Sequence, residues 1–571
     1  MKKFLFENRV FLTKNFLLCL LIFLIIFMAS AYQLNPVIDV GREVYIPFRI
    51  FNGEVLYKDI FNIYGPLAYQ INAFAYFIFK PEIFSLRILG SISAFTTLLT
   101  IYFILKEIFS DFDKKFIIGM CFLPFCIGIM SFGTFNYTLP YSFSMTYGLT
   151  FCLLSVLFLI KFSKTQNISS KFAYFSAFFA GGALTCKYEF LTYFVFVFLF
   201  LLCSKKLKAK EIFFAFLSLL VFPLLTFGVL FLQGMTVEDL IRTSKILKIM
   251  AKTESLQYLY KNFTGTYFNI AILFENIKNS FSIIFLACLG YFSAKIYSRD
   301  KFLSLVTAFF LLSGIFYVGS SGYSLFAMIN AILFLVFIKK IFQNKPVFIF
   351  MIFGMLLSLK TFFSTNIEVY GTYTLPFLIL ALFCFVFKID FSKNEAVKSV
   401  AKSAVCFLAV GIILISINQA YKIFKNKTKP DSIVFAKNIC SQIQTYPNIA
   451  NALNDATKFL QNETKTTDKV VIMPESQFLN FTTKRAGDNL YDSLTPMYFE
   501  TFGEENVIRH FKETKPEYFI LTNRDTFDYG KSFICKDYAL DFCKFVKSDY
   551  VKIKTVGKQT YKMEIYKRKN L

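Results

Sequence analysis

Runs of apolar residues long enough to cross a bilayer recur through the first 420 residues, separated by short polar gaps. Taking about 20 residues as one crossing, the runs fall at 15–34, 84–105, 116–134, 141–160, 172–186, 190–204, 211–232, 281–297, 302–319, 322–338, 346–360, 373–388 and 403–420. That pattern predicts roughly 13 transmembrane helices, the two runs either side of Cys186 being the shortest. After Asn418 the pattern turns polar. Helical periodicity covers 432–461, VVIMP at 470–474 and YFILT at 518–522 read as strands, 504–513 reads as a helix, and VKIKTV with TYKMEIYK reads as a closing hairpin. These elements predict a small α/β domain of about 130 residues, large enough for its own core. The expected architecture is a polytopic α-helical membrane module over 1–420, with a first outer loop at 35–82, followed by an α/β domain over 421–571.

Composition agrees with that class. The 571 residues are 56% hydrophobic and 17% charged, with 79 Phe and no Trp, which excludes an ordinary soluble globular chain. A net charge of +25 raises nucleic acid as a partner. Its basic residues, however, sit mostly in the gaps between apolar runs rather than on one solvated patch, so no nucleic acid is expected. Every second gap is rich in them: Lys2, Lys3, Arg9 and Lys14 at the N-terminus, then Lys106/Lys114/Lys115, Lys161/Lys164/Lys171, Lys205/Lys206/Lys208/Lys210, Lys295/Arg299/Lys301, Lys339/Lys340/Lys345 and Lys388/Lys393/Lys398/Lys402. The positive-inside rule makes these cytoplasmic and turns the alternate gaps outward, with a cytoplasmic N-terminus, an uncleaved first span and an extracytoplasmic C-terminal domain.

Cysteine and histidine usage narrows the chemistry. Most of the 12 Cys stand singly inside apolar runs, no CxxC spacing occurs, and His510 is the only histidine. Neither a zinc site nor histidine-based catalysis is expected. Cys535 and Cys543 are placed to pair in an oxidising compartment, and Cys440 is the third cysteine of that domain.

The outward gaps are poor in Lys and Arg, so the exceptions carry information. They are Arg42, Arg49, Lys58 and Arg87 around the first loop, Lys187 in TCKYEF, Arg242, Lys245, Lys248 and Lys252 in the 233–280 segment, and Lys360 before a gap holding Asn366, Glu368 and Tyr370. Cations held against the topological preference point to an anionic ligand at the outer face; interfacial snorkelling is the alternative for each one singly. The loop Asn35–Phe79 concentrates such groups. Asp39, Arg42 and Glu43 stand at i, i+3 and i+4, on one face of a helix starting near Asp39. They serve either as a functional cluster or as mutually paired loop charges. The amphipathic VEDLIRTSKILKIM in 233–280 reads as an interfacial helix, a lid or a passive surface element.

The order of Asp39 and Arg42, then NGEVLYKDIF (52–61), YGPLAY (64–69) and SLR (85–87), resembles the GT-C membrane glycosyltransferases that use a polyprenyl-phosphate sugar donor. Within them it is most similar to the protein-mannosyltransferase and aminoarabinose-transferase-like group. The specific motif covers about 36–90, with weaker echoes at PYSF (140–143), GGALTCKYE (181–189) and VYGTYTLP (369–376). The resemblance implies that Asp39 is the catalytic acid acting as general base on the acceptor, and that Arg42 orients it or contacts phosphate. Many members carry a second acid after the first, whereas position 40 is Val, and Glu43 one turn on is the substitute candidate. The Pro-Pro-Leu of the group is here Gly65-Pro66-Leu67.

Transfer from a lipid-linked sugar phosphate needs a carboxylate at the acceptor hydroxyl and cations at the departing phosphate. Arg42, Arg87, Lys187 and Lys360 are the candidates for donor phosphate; Asp59, Tyr64, Glu189 and Tyr370 are candidates for acceptor or substrate contact. The implied partners are a polyprenyl-phosphate-linked sugar, a glycan, lipid or protein acceptor, and membrane lipid. No cofactor is expected, and a divalent metal is not indicated by any ligand spacing. A flippase or transporter of lipid-linked glycans and a non-catalytic envelope scaffold are the rival readings, the former requiring charged or broken helices near the bilayer midplane.

Overall fold

Serine and threonine hydroxyls bridge the helices where apolar packing alone would leave them free to slide. In this computed structural model, which describes residues 16–29, 36–114, 116–121, 137–165, 170–264, 324–363, 373–406, 443–558 and 560–569 with short pieces at 270–309, 409 and 433–434, the first part of the chain is helical. The helices include α1 (Phe16–Ala29), α2 (Asp39–Phe51), α3 (Leu67–Phe79), α4 (Ile83–Ile108), α5 (Phe143–Lys164), α6 (Ser170–Cys186), α7 (Leu191–Leu202), α8 (Ala209–Leu232), α9 (Val237–Met250), α10 (Glu254–Leu259), α11 (Ser324–Val336), α12 (Lys345–Leu357) and α13 (Leu375–Lys388), with one further helical turn and a half at Ile338–Gln343. Among the described residues, α4, α5 and α8 are long and apolar enough to cross a membrane. Ser93 and Thr97 of α4 share Thr150 of α5 at 2.9 and 2.8 Å, and Ser155 of α5 donates to the Ser176 carbonyl of α6 at 2.8 Å. Such bonds fix helix pairs where no hydrophobic drive separates helix from lipid. The far side of α8 carries Leu224 and Leu225, both exposed.

Among the described residues, four of the basic gaps meet one another. At one end Glu107 bonds Lys161 and Lys164, Lys206 donates to the carbonyls of Phe162, Ser163 and Thr165, and Lys388 pairs with Asp111. The runs expected at 281–297, 302–319 and 403–420, and most of 116–134, lie largely outside the described residues. The expected first loop is not a loop throughout, because α2 and α3 both lie inside 35–82.

Residues 443–569 form a four-stranded sheet of order β1-β2-β4-β3, with β1 (Val470–Met473) parallel to β2 (Tyr518–Thr522), and β3 (Tyr550–Lys558) and β4 (Tyr561–Arg568) closing as a hairpin. β1 and β2 are buried along their whole length, which is why they read as unbroken apolar runs rather than alternating ones. Their side chains still alternate between two cores. Val470, Ile472 and Ile520 face α14 (Pro447–Glu463) through Leu453 and Leu460. Val471, Met473 and Phe519 face α17 (Glu504–Thr514) and α18 (Leu540–Asp549) through Phe511 and Phe542. Cys535 and Cys543 form a disulfide that fastens the loop before α18. His510 is bonded to Asp488 at 2.7 Å and packs edge-on to Tyr491, a structural placement. The helix expected over 432–461 begins only at Pro447. Tyr446, extended ahead of that proline, cannot continue a helix into it, and Ile433–Val434 pairs with Ile443–Gln444 as an antiparallel ladder. Two short helices that carry little periodicity, α15 (Gln477–Thr483) and α16 (Pro496–Phe502), complete the unit.

Helix α2 joins the two parts. Val37, Val40, Val44 and Phe48 share one buried cluster with Phe478, Leu479 and Phe481. A Cβ on Gly41 would come within 2.7 Å of the Phe478 nitrogen, so only glycine lets α2 and α15 approach this closely. The Tyr45 hydroxyl accepts the Gly487 N–H at 2.7 Å. Arg49, 2% exposed, is held by Glu54, by Asp492 and by the Asn489 carbonyl at 2.9 Å. Burial pushes the Asp492 carboxyl up to about 7; Arg49 opposes this, and Asp488 and Glu54 add to it. One guanidinium between two carboxylates leaves surplus negative charge, so Asp492 takes up a proton readily.

Arg49→Ala removes the buried cation that the half-buried Glu54 and Asp492 share and is expected to cost about 1–3 kcal/mol, read as a lower melting temperature of the purified protein. Because the folded Asp492 holds its proton from the unfolded value of 3.8 up to about 7, stability falls as pH rises through that window. The slope disappears in Asp492→Asn, which pH-dependent melting of the two proteins checks.

Candidate functional site

At the end of the bundle that carries the α/β unit, the backbone of the first loop is pinned so that one tyrosine stands in the middle. The Tyr64 carbonyl accepts from the Tyr57 hydroxyl at 2.6 Å and from the Asn62 amide at 2.7 Å. Tyr57 is itself in the left-handed region, φ 68°, where the turn 55–60 folds back on itself. Asp59 closes that turn by accepting the Val55 N–H at 2.8 Å, so its carboxylate serves the loop's own backbone. Next, Gly65 passes the end of α6. A Cβ there would lie 2.1 Å from the Thr185 carbonyl oxygen, a contact that only glycine permits.

Cations from separate elements gather around the Tyr64 ring. The Arg42 guanidinium of α2 lies 5.1 Å from its centroid and the Lys187 ammonium, just past α6, lies 5.6 Å from it. Arg42 also donates to the Tyr141 hydroxyl at 2.6 Å, and Tyr141 meets the Tyr64 hydroxyl at 2.8 Å. Lys187 and Lys360 reach the two oxygens of Glu189, at 3.1 and 3.2 Å, with both lysine side chains 13% exposed. Burial works to raise the Glu189 carboxyl, but the two lysines outweigh it and hold the group at about 2. Glu189 is therefore ionised across the working range of pH. Two ammonium groups against one carboxylate still leave positive charge in excess among these three, the condition for receiving an anion. Around them stand Tyr188, whose hydroxyl is 3.5 Å from that of Tyr57, and Tyr373, which donates to the Tyr141 carbonyl at 2.8 Å.

The residues singled out in the sequence thus divide. Arg42, Tyr64, Lys187, Glu189 and Lys360 come together. Glu43, 1% exposed, faces inward, accepting from the Tyr69 hydroxyl at 3.1 Å and from the Phe143 N–H at 2.9 Å, and so ties α2 to α3 and to the start of α5. Arg87 packs instead against α1, donating to the Phe27 carbonyl at 3.1 Å and lying over the Phe27 ring. Asp39 begins α2, while its side chain and the whole of Tyr370 lie outside the described residues. Tyr57, Tyr141, Tyr188 and Tyr373 were not singled out. The signal for Tyr141 was its place in PYSF in a gap free of Lys and Arg; with 32 Tyr in the chain, the others had no distinguishing mark. Among the described residues no three His, Cys, Asp or Glu side chains stand close enough to hold a metal ion.

No family model matches the chain, and no curated protein does. Among solved structures it is similar to the crystal structure of ArnT from Cupriavidus metallidurans bound to undecaprenyl phosphate, over 97% of this chain and 98% of that one, with 10% identity and a TM-score of 0.44. The apo state of the same protein is similar over 98% of both chains, with the same identity and TM-score. At that distance neither likeness carries weight for the site, which stands on its own geometry.

Gly65→Ala is expected to force the loop away from α6 and separate Tyr64 from Lys187. Overpacking of this kind costs about 1–3 kcal/mol, measurable as a drop in melting temperature.

Proposed function

We propose that the chain is a polytopic membrane glycosyltransferase, in the inner membrane of the cell, that moves a sugar from a polyprenyl-phosphate carrier to an acceptor at the outer face. The observation that supports this most is the meeting of Arg42, Lys187 and Lys360, from three segments far apart in sequence, around Tyr64. They stand beside the helix that begins at Asp39. Lys187 and Lys360 are largely covered rather than extended to water, and covered cations persist where they pair or act.

On this reading the donor phosphate settles against Lys187 and Lys360, with Arg42 behind them. Asp39 takes the proton of the acceptor hydroxyl, and the oxygen attacks the anomeric carbon. The bond from that carbon to the phosphate oxygen breaks, and the polyprenyl phosphate departs with the electron pair. Negative charge grows on the phosphate as that bond lengthens, so ammonium groups already in place favour the transition state over the ground state. A single displacement inverts the anomeric centre. Glu43 acts as a positioning residue, setting the rotation of α2 through its bonds to α3 and α5, and the tyrosines line the space for sugar or acceptor. The N-terminus is cytoplasmic and the α/β unit external on this reading. The transporter alternative draws no support from the described helices, whose ion pairs gather at their ends.

Asp39→Asn is expected to lower turnover by about 10²–10⁴, and Lys187→Ala or Lys360→Ala by about 10²–10³. The measurement is sugar transfer from a polyprenyl-phosphate donor by the purified protein in lipid. Full turnover by Asp39→Asn would rule out the assignment.

A further inference from the structure

Helix α9 presents a face that no described part of the protein covers. It follows Leu232, the last residue of α8, after the four residues 233–236, which keeps it at the level where that apolar helix ends. Its inner side is fixed. Thr236 and Asp239 cap its start, Thr243 and Met250 are buried, and Arg242 donates to the carbonyls of Tyr57 and Lys58 at 3.1 and 2.9 Å. The outer side carries Val237, Ile241 and Ile249, which are 61%, 49% and 52% exposed. Lys245 falls between the two isoleucines at i+4, and Lys248 lies two turns beyond Ile241 on the same face. Between Glu238, Ile241, Arg242, Lys245, Ile246 and Ile249 runs a groove of about 340 Å³.

Three exposed aliphatic side chains interleaved with lysines suit one environment. At the boundary of acyl chains and headgroups the aliphatic groups leave water while the lysine stems lie along them and extend their ammonium ends to phosphate. Asp239 is turned inward onto Arg242 and the start of the helix, so among the described residues Glu238 is the one acid lining the groove, against Arg242 and Lys245.

We propose that this groove binds an anionic phospholipid of the leaflet at the outer end of α8, with an acyl chain against Ile241, Ile246 and Ile249 and the phosphate between Arg242 and Lys245. The same guanidinium holds the Tyr57 carbonyl, and the Tyr57 hydroxyl holds the Tyr64 carbonyl, so a bound lipid steadies the loop that carries Tyr64. The proposal rests on the membrane placement of the preceding reading but not on sugar transfer.

Because the chain contains no Trp, one introduced tryptophan reports its own surroundings. The full chain carrying Ile241→Trp or Ile249→Trp is reconstituted in phosphatidylcholine vesicles containing phosphatidylglycerol, with bromine on the acyl chains of one lipid or the other. Bromine on phosphatidylglycerol is expected to quench either tryptophan more strongly than the same amount on phosphatidylcholine. Lys245→Gln and Lys248→Gln each reduce that preference, by about fivefold per residue at an anionic surface. Leu224→Trp on the exposed side of α8 serves as the inserted control, quenched by both lipids, and Leu540→Trp on the α/β unit as the solvated one, quenched by neither. With those controls in order, no quenching at positions 241 and 249 overturns the proposal, and so does equal quenching by the two lipids. No sugar enters the experiment, so a negative transfer assay leaves its result standing.

Discussion

Arg49 is buried where the helical bundle and the α/β unit meet, and its charge dictates what surrounds it. A guanidinium cannot be neutralised in place, so it must keep carboxylates and carbonyls about it. Glu54 comes from its own loop, Asp492 and the Asn489 carbonyl from the other unit. Neither side alone completes the set. The α/β unit is therefore seated in one orientation on α2, and α2 is the helix whose first turns carry Asp39, Arg42 and Glu43. Tyr45, one turn before Arg49, adds its hydroxyl to the Gly487 N–H, and Lys484 reaches back to the Pro81 carbonyl at 2.7 Å. What looks in the sequence like an appended domain is in the fold the support of the helix that starts the site.

The site itself rests on ends of elements rather than on their interiors. Lys187 and Glu189 follow α6, Lys360 follows α12, Tyr373 precedes α13, and Arg42 lies in the first turns of α2. In the middle of a bilayer these charges would meet no water and no counter-ion. At the helix ends they keep partial hydration and are still screened less than in bulk water. The tyrosines complement this placement. The Tyr64 and Tyr141 rings face the cations, while the hydroxyls of Tyr57 and Tyr373 bond to backbone and that of Tyr141 to Arg42 and Tyr64, so the cluster is ordered.

Much of this was legible from patterning because long apolar runs leave a chain few alternatives. Spans such as 84–105 and 211–232 appear as α4 and α8 within a few residues, since a long unbroken apolar run has few alternatives. The fully buried β1 and β2 showed themselves as short apolar runs, and the β3–β4 hairpin as two alternating ones. Within the first loop the spacing of Asp39, Arg42 and Glu43 marked the start of α2, whereas its extent and the whole of α3 were hidden. α2 buries one side against α15, α3 is short, and neither resembles a crossing. The helical stretch expected before Pro447 failed because periodicity there said nothing of the pairing between 433–434 and 443–444. At the site, Lys187 and Lys360 were visible as exceptions to a clean rule about where basic residues sit. Arg87 broke the same rule and packs against Phe27, so the rule selects cations with a reason to be there without saying which reason. Tyr64 stood in a motif and could be named, but Tyr57, Tyr188 and Tyr373 could not be seen in advance, since their role is set by which loop ends meet.

Glu189 raises the question of how an anion could use a place already holding a carboxylate. It lies on a three-residue turn, Tyr188–Phe190, between two helices, and its side chain is 39% exposed although the lysines it bridges are nearly covered. It cannot leave by protonation, since the lysines hold its carboxyl at about 2. On the proposed reading an arriving phosphate displaces it by offering more oxygens and more charge to the same two ammonium groups, while the displaced carboxylate turns to water. Such an exchange keeps the lysines paired at every stage, so that neither is ever left buried and alone. It also sets a threshold: a neutral ligand, or one whose charge is spread thinly, gains too little from Lys187 and Lys360 to move Glu189. On the proposed reading the carboxylate acts as a placeholder that reserves the two lysines for a phosphate.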